Sequence, residues 1–434
     1  MKSKIIFAII LLASFSFKSQ AQNDVTEMNV NGLKVIFKSS TKPTVCAVMF
    51  FKGGTANYTE KQQGIENFAL AATTECGTAK YGKDAFKDKA DKFGINLGGA
   101  SDYDYGYISM VCVKPYWTEG WDLFSEAVNN PVFEAKDLEL VRQKIVTGLK
   151  MQESNPDDML SKMSLLNAFT GTRYASLPSG TAESVSGMTQ ADIQAYYKQL
   201  LNVNRMLLVV VGNLTKEEVK SKIESAFSKL PSVAISPLPA PADFRVTANS
   251  LNIQDRPLAT NYIIGIMGAP MATTPDFYAY RLGFTVLSEK LFEEIRTKRN
   301  LSYAPRSYVT TDFIPHSVLY VTTTKPKEAV TVMTDEVKFL RDGGFTAVDL
   351  RDAKSKLTTA FYMSSESTGS NAIALGINEI KGSWKNFFEF LNKTNAVTLP
   401  QMQKVFAEYA DGIKWNYLGD ESMADKEAFD KSVK

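Results

Sequence analysis

Apolar and polar positions along this chain follow two periods, alternation by two and a repeat near 3.6, and switch between them many times. Residues 29–37 and 44–52 alternate like the two strands of a hairpin. Helical periodicity follows over 64–74 and 83–93, strand alternation over 102–114, and a helical face over 117–128. Further helices are predicted over 137–153, 157–169 and 189–201. The apolar run RMLLVVVGNL then reads as a buried strand ending in a turn at Gly212-Asn213.

The pattern is written twice. Asp137-Leu138 opens a periodic stretch that passes through Met151, and Asp349-Leu350 opens another in which Met363 falls at the same offset of fourteen. In both, the aspartate is placed to cap a long amphipathic helix. The strand-then-turn signal recurs at Gly419-Asp420, 70 residues after Asp349, where Gly212 lies 75 after Asp137. Between the repeats, residues 230–245 carry prolines at 231, 237, 239 and 241, which deny backbone donors and favour extended chain. The expected organisation is a first domain over 22–229, a linker over 230–245 and a second domain over 246–434. Strands interleaved with helices, the helices on one face of an antiparallel-rich sheet, give an α+β chain of two homologous α/β sandwich domains.

The first 21 residues read differently. Lys2 and Lys4 precede an apolar run from 5 to 17, and Ser19-Gln20-Ala21 places small residues for cleavage before Gln22. This predicts a signal peptide over 1–21 and an exported chain, periplasmic or secreted, with no membrane span once the leader is gone. No cysteine follows the apolar run, which argues against a lipid anchor there. The 434 residues carry 49 basic and 47 acidic side chains; losing Lys2, Lys4 and Lys18 leaves 46 against 47. So balanced a chain has no electrostatic footprint for nucleic acid. Mean hydropathy of −0.15 fits neither intrinsic disorder nor a polytopic membrane protein.

Candidate chemistry is sparse. The sequence contains one histidine, His316, which excludes any mechanism needing two. Cys46, Cys76 and Cys112 sit in apolar contexts without Cys-x-x-Cys spacing and read as buried free thiols. Lys52-Gly53-Gly54-Thr55 lacks the Gly-Lys-Ser/Thr of a phosphate loop and reads as a hairpin turn. His316, following Pro315, reads as an exposed or capping turn residue. Glu66, Glu75, Asp102 and Asp104 read as solvated surface.

Several motifs in fixed order carry a resemblance over nearly the whole chain after the leader. These are Gly64-Ile65 opening a helix that closes at Gly77-Thr78, then NNPVF at 129–133, TQADI at 189–193 and NRMLLVVVGN at 204–213. The sharpest are LFEEIR at 291–296 and NLSY at 300–303. Together they resemble the pitrilysin/insulinase family of metallopeptidases, which includes the processing-peptidase and core-complex subunits of mitochondria. The family binds zinc through an inverted His-x-x-Glu-His on the first helix, two histidines sharing one helical face, with a glutamate from a later helix. Here those positions fall on Asn67 or Phe68, on Ala71 or Ala72, and near Gly148. His316, in the other half, replaces no pair. The resemblance therefore implies no metal site and no catalytic residue in this chain, and no peptidase activity by it alone.

The resemblance also assigns a substrate-binding pair, Arg296 and Tyr303, facing the active-site chamber. Asn300 stands where the family has glycine, and a left-handed Asn300 ends the helix and folds Tyr303 back beside it. The competing reading pairs Arg296 with an acid such as Glu293 and packs Tyr303 away. Some family members divide the work between zinc-bearing and zinc-lacking chains. The function expected here is an exported, non-catalytic subunit that pairs with a zinc-bearing homologous chain, most simply as a heterodimer, and helps it bind extended peptide. Zinc then belongs to the partner alone. The alternatives are a structural scaffold and a module that pairs extended peptides to a sheet edge without cutting them.

Overall fold

The computed structural model describes residues 24–434, so the expected leader over 1–21 lies outside the described residues. Eleven strands are described: β1 (Val25–Val30), β2 (Leu33–Ser39), β3 (Thr44–Lys52), β4 (Asn96–Ser101), β5 (Tyr105–Val113), β6 (Met206–Gly212), β7 (Ser250–Asp255), β8 (Asn261–Met267), β9 (Arg306–Val309), β10 (Ser317–Thr323) and β11 (Lys414–Gly419). They form a six-stranded sheet in the order β1-β2-β6-β3-β5-β4 and a five-stranded sheet in the order β7-β11-β8-β10-β9. Set β1 aside and the two orders are the same, each with one parallel pair, β2 with β6 and β7 with β11, among antiparallel neighbours. The duplication is real at the level of topology.

Each half packs its own helices on one face of its sheet. In the first, Ile65–Glu75, Trp117–Asn129 and Gln190–Leu200 bury Phe68, Leu70, Phe124 and Tyr197 against Val35, Met49 and Leu208. In the second, Pro275–Leu291, Pro326–Arg341 and Leu399–Tyr409 do the same around Phe284, Met333 and Trp415.

The opposite faces are covered by exchange. The long helix Ala135–Ser154 is followed by Pro156–Ala168, whose Leu160 and Ala168, with Phe169 beyond its end, cover Ile264, Ile266 and Val318 of the second sheet. The matching long helix Ala347–Ser364 is followed by Thr368–Ile380, whose Ala372 and Leu375 cover Val48, Phe50 and Val209 of the first sheet. Strands apolar on both faces, such as β3 and β6, require this double cover. Residues 230–243 between the halves carry neither helix nor strand.

Four local expectations are corrected. Residues 29–37 are not one strand: Asn31-Gly32, a strong short hairpin signal, turns β1 into β2. β2 and β3 do not pair, because β6 runs between them. The strand expected over 102–114 begins at Tyr105, and its hairpin partner β4 was hidden by a glycine-rich sequence, NLGGAS. The capping aspartates also sit inside their helices. Thr346 caps the second long helix in a reciprocal box with Asp349, at 2.8 and 3.1 Å, whereas Asp137 lies in the first turn of its helix and pairs with Lys83 at 3.1 Å.

Candidate functional site

The helix from Pro275 changes character near its end. It is α-helical to Leu291, and Phe292–Lys298 then widen into π-helical turns, closed by the Leu301 amide donating to the Ile295 carbonyl at 2.8 Å. Asn300 takes φ 51°, as expected of a residue that stops a helix in the left-handed region. Leu301 and Ser302 are buried, so the chain doubles back and Tyr303 is projected beside the last turns.

Arg296 and Tyr303 are thereby brought together. The guanidinium carbon lies 4.1 Å from the centre of the Tyr303 ring and 4.8 Å from that of Phe292. Tyr303 is 79% exposed and Phe292 44%, so the half-buried Arg296 lies against two exposed rings. The competing partner is engaged elsewhere: Glu293 pairs with Lys298 at 2.9 Å, and Glu294 with Lys298 and Arg299. Among the described residues the Arg296 guanidinium enters no ion pair, and its N–H groups have no acid to meet. Phe292 was missed in the sequence, although its position four residues before Arg296 on a helix is a signal for the contact.

On the first helix the structure resolves which pair of positions faces outward. Phe68 and Ala72 are fully buried in the first core, whereas Asn67 and Ala71 lie on the half-exposed face. The side-chain carbonyl of Asn67 accepts the Ser101 amide at 3.3 Å. Gly148, on the long helix, has open space where a side chain would stand. An amide, a methyl and a hydrogen do not fit zinc, and no cluster of three His, Cys, Asp or Glu among the described residues fits another metal.

Of the four acidic residues read as surface, two are buried, Glu66 and Asp104, and two are part-exposed, Glu75 and Asp102. Glu66 is 0% exposed. It accepts hydrogen bonds from the Tyr196 hydroxyl and, at 2.9 Å, from the Asn57 amide, while its second oxygen has no partner. Burial pushes its carboxyl up to about 7, against the pull of these bonds. Gly106 makes room for it, since a side chain there would collide with the carboxylate.

Asp104 is 6% exposed, pairs with Arg173 at 2.5 Å, and accepts the Tyr174 hydroxyl at 2.7 Å and the Phe313 amide of the second half at 2.9 Å. Asp102 is part-buried and raised, chiefly by burial. Glu75 is drawn into pairs with Lys87 and Lys144. His316 is likewise buried, edge-on to Phe169, and burial holds it down to about 4. All three cysteines are free and buried, as the sequence implied.

Residues 34–181 match the family described as Insulinase (Peptidase family M16), and residues 187–357 match Peptidase M16 inactive domain. The chain is 24% identical over 292 residues to an uncharacterized zinc protease of Mycobacterium leprae, covering 65% of each. It is 24% identical over 426 residues to the non-peptidase homolog YmxG of Helicobacter pylori, covering 94% of this chain and 95% of that one. A solved peptidase M16 inactive domain from Pseudomonas fluorescens shares the fold at TM-score 0.81 and 20% identity, over 91% of this chain and 98% of that one.

Proposed function

Because the chain belongs to the insulinase family of M16 peptidases, we propose that it is the exported, non-catalytic partner of a zinc-bearing homologous chain, to which it contributes peptide-binding surface. The observation that carries this reading is the exposed stack of Phe292, Arg296 and Tyr303 in a chain whose metal-face positions are Asn67, Ala71 and Gly148. A surface arginine normally pairs with an acid or stays solvated; this one lies against two rings and enters no ion pair among the described residues, which leaves its donors to a peptide carbonyl. The Tyr303 hydroxyl is a second free donor beside it. Only Ala304 and Pro305 separate Tyr303 from β9, the edge strand of the second sheet, which suits an extended peptide. No helix among the described residues is long and apolar enough to cross a membrane.

The test is affinity purification of the tagged native chain, with identification of co-eluting chains and a zinc assay on the complex. The expected result is a homologous partner carrying His-x-x-Glu-His and stoichiometric zinc in the pair. Recovery of the chain alone, or only with unrelated proteins, favours the scaffold reading.

A further inference from the structure

A cavity of about 430 Å³ opens in the second half where Pro275–Leu291, the long helix Ala347–Ser364 and the two helices that follow it meet. Its volume falls within the range of small-molecule sites, roughly 300–1,000 Å³. Much of the wall is aromatic: Tyr278, Phe361, Phe387 and Phe390. Two cations interrupt it, Arg281 and Lys381.

The two, both part-buried, are unlike the buried acidic residues of this protein. Glu66 and Asp104 are each met by hydrogen-bond donors in the fold. Arg281 enters no ion pair among the described residues; its guanidinium carbon lies 5.1 Å from the centre of the Phe390 ring. Lys381 donates to the Thr311 carbonyl, and the acids that act on it, Asp312, Asp104 and Asp102, form no ion pair with it within 4.0 Å. The Lys381 ammonium also feels repulsion from Arg281, and burial holds both cations below their ordinary range. Two unpaired like charges converging on a mostly apolar cavity are costly, and one bound anion relieves both.

The place of the cavity is also informative. Ala360, in its wall, stands eleven residues after Asp349, as Gly148 stands eleven after Asp137. The second repeat thus carries its cavity at the position of the long helix where the first repeat has its vacated metal face.

We propose that this cavity is a binding site for a monocarboxylate bearing an apolar, preferably aromatic, group: the carboxylate between Arg281 and Lys381, the apolar group among Tyr278, Phe361 and Phe390. A planar carboxylate matches the two-pronged edge of a guanidinium, and the ammonium supplies a second, point-like contact. A larger polyanion has no further cations to meet in this wall, and a neutral apolar ligand leaves both charges unmatched. Free carboxylic acids and the C-terminal residue of a peptide share this chemistry. The site does not depend on the proposed peptidase partner.

Calorimetric titration of the purified chain with 4-phenylbutyrate, 4-phenylbutyramide, and an N-acetylated tripeptide ending in phenylalanine, free or amidated at its C-terminus, tests this. Saturable binding of 4-phenylbutyrate, about tenfold or more tighter than of its amide, is the expected result. Arg281→Leu should weaken the acid to the level of the amide while leaving the amide unchanged, and Ala374→Phe, which fills the wall, should weaken both. The tripeptide arm separates the sources: preference for the free over the amidated peptide identifies a C-terminus as ligand, and binding of phenylbutyrate alone identifies a free acid. The proposal is overturned if acid and amide bind equally, if neither acid nor free tripeptide binds, or if binding survives Arg281→Leu unchanged. The acid–amide comparison uses the parental protein and therefore decides even where a variant does not fold.

Discussion

The ring of Phe50, in the middle of β3, is seated on the backbone of Gly376, in a helix contributed by the other half of the chain more than three hundred residues later. A side chain on Gly376 would collide with the ring, so glycine here sets how closely the exchanged helix lies on the first sheet. Gly376→Ala is therefore expected to destabilise the protein, by about 1–3 kcal/mol as for other overpacked cores, although alanine is the better helix former. Gly369, on the same helix, has only Ser367 Oγ nearby at 3.8 Å, and Gly369→Ala should be neutral or slightly stabilising. Urea unfolding of both variants checks this. Equal effects at the two positions would remove the contact from the account.

The buried Glu66 predicts a pH dependence. Its folded value of about 7 lies above the ordinary 4.5, so the native state keeps a proton that the unfolded chain releases. Stability from this group is complete below about pH 4.5, falls as pH rises, and levels off above about 7, the whole change being on the order of 3 kcal/mol. Glu66→Gln keeps an acceptor for Tyr196 and has no proton to lose. Unfolding midpoints near pH 5 and pH 8 should show the parental protein losing more stability than the variant between them. Identical losses would mean that Glu66 is ionised and stabilised in the native state.

What the sequence revealed and concealed follows from range. Helix 65–75 and β6 carry their own apolar periods, and the matched Asp-Leu positions exposed the repeat, because both signals are local or internal to the chain. β4 has almost no strand character of its own; it is held by pairing with β5 and by packing on the first helix. The exchange of helices leaves no periodic trace, since an apolar stripe does not say which sheet it covers. Glu66 was misread for a related reason. Its donor Tyr196 stands 130 residues away, and a lone glutamate looks solvated until that distance is closed. Arg296 and Tyr303 were found through a motif, and only the fold brought in Phe292 and the stack.

The outward face of the first helix can be tested by putting histidines back. Asn67 and Ala71 are one turn apart and half-exposed, so Asn67→His with Ala71→His should leave stability within about 0.5 kcal/mol and create a zinc-binding pair at micromolar metal. Phe68→His with Ala72→His instead empties and polarises the core at two fully buried positions, at a cost of about 3–5 kcal/mol. Thermal unfolding with and without zinc distinguishes them. Zinc stabilisation of the second pair and not the first would reverse the assignment of the two faces.

The last prediction concerns the surface on which the functional proposal rests. Tyr303 is exposed and makes one ring contact, with Arg296, so Tyr303→Phe removes a hydroxyl and preserves the stack. Folding and assembly with a homologous partner should therefore be unchanged. If the hydroxyl donates to a substrate oxygen only as that oxygen gains negative charge, turnover by the assembled pair should fall by roughly 10²-fold with little change in KM. Arg296→Ala differs in kind. It deletes a guanidinium that can hold a peptide carbonyl in the ground state and also frees the Phe292 and Tyr303 rings, so KM should rise as well as kcat fall. Arg296→Lys keeps the charge but not the planar, forked guanidinium, and should recover only part of the loss. Steady-state kinetics on the complex, with co-elution confirming that each variant still assembles, separates these effects. Parental rates from all three assembled variants would show the stack to be structural and give the scaffold reading precedence.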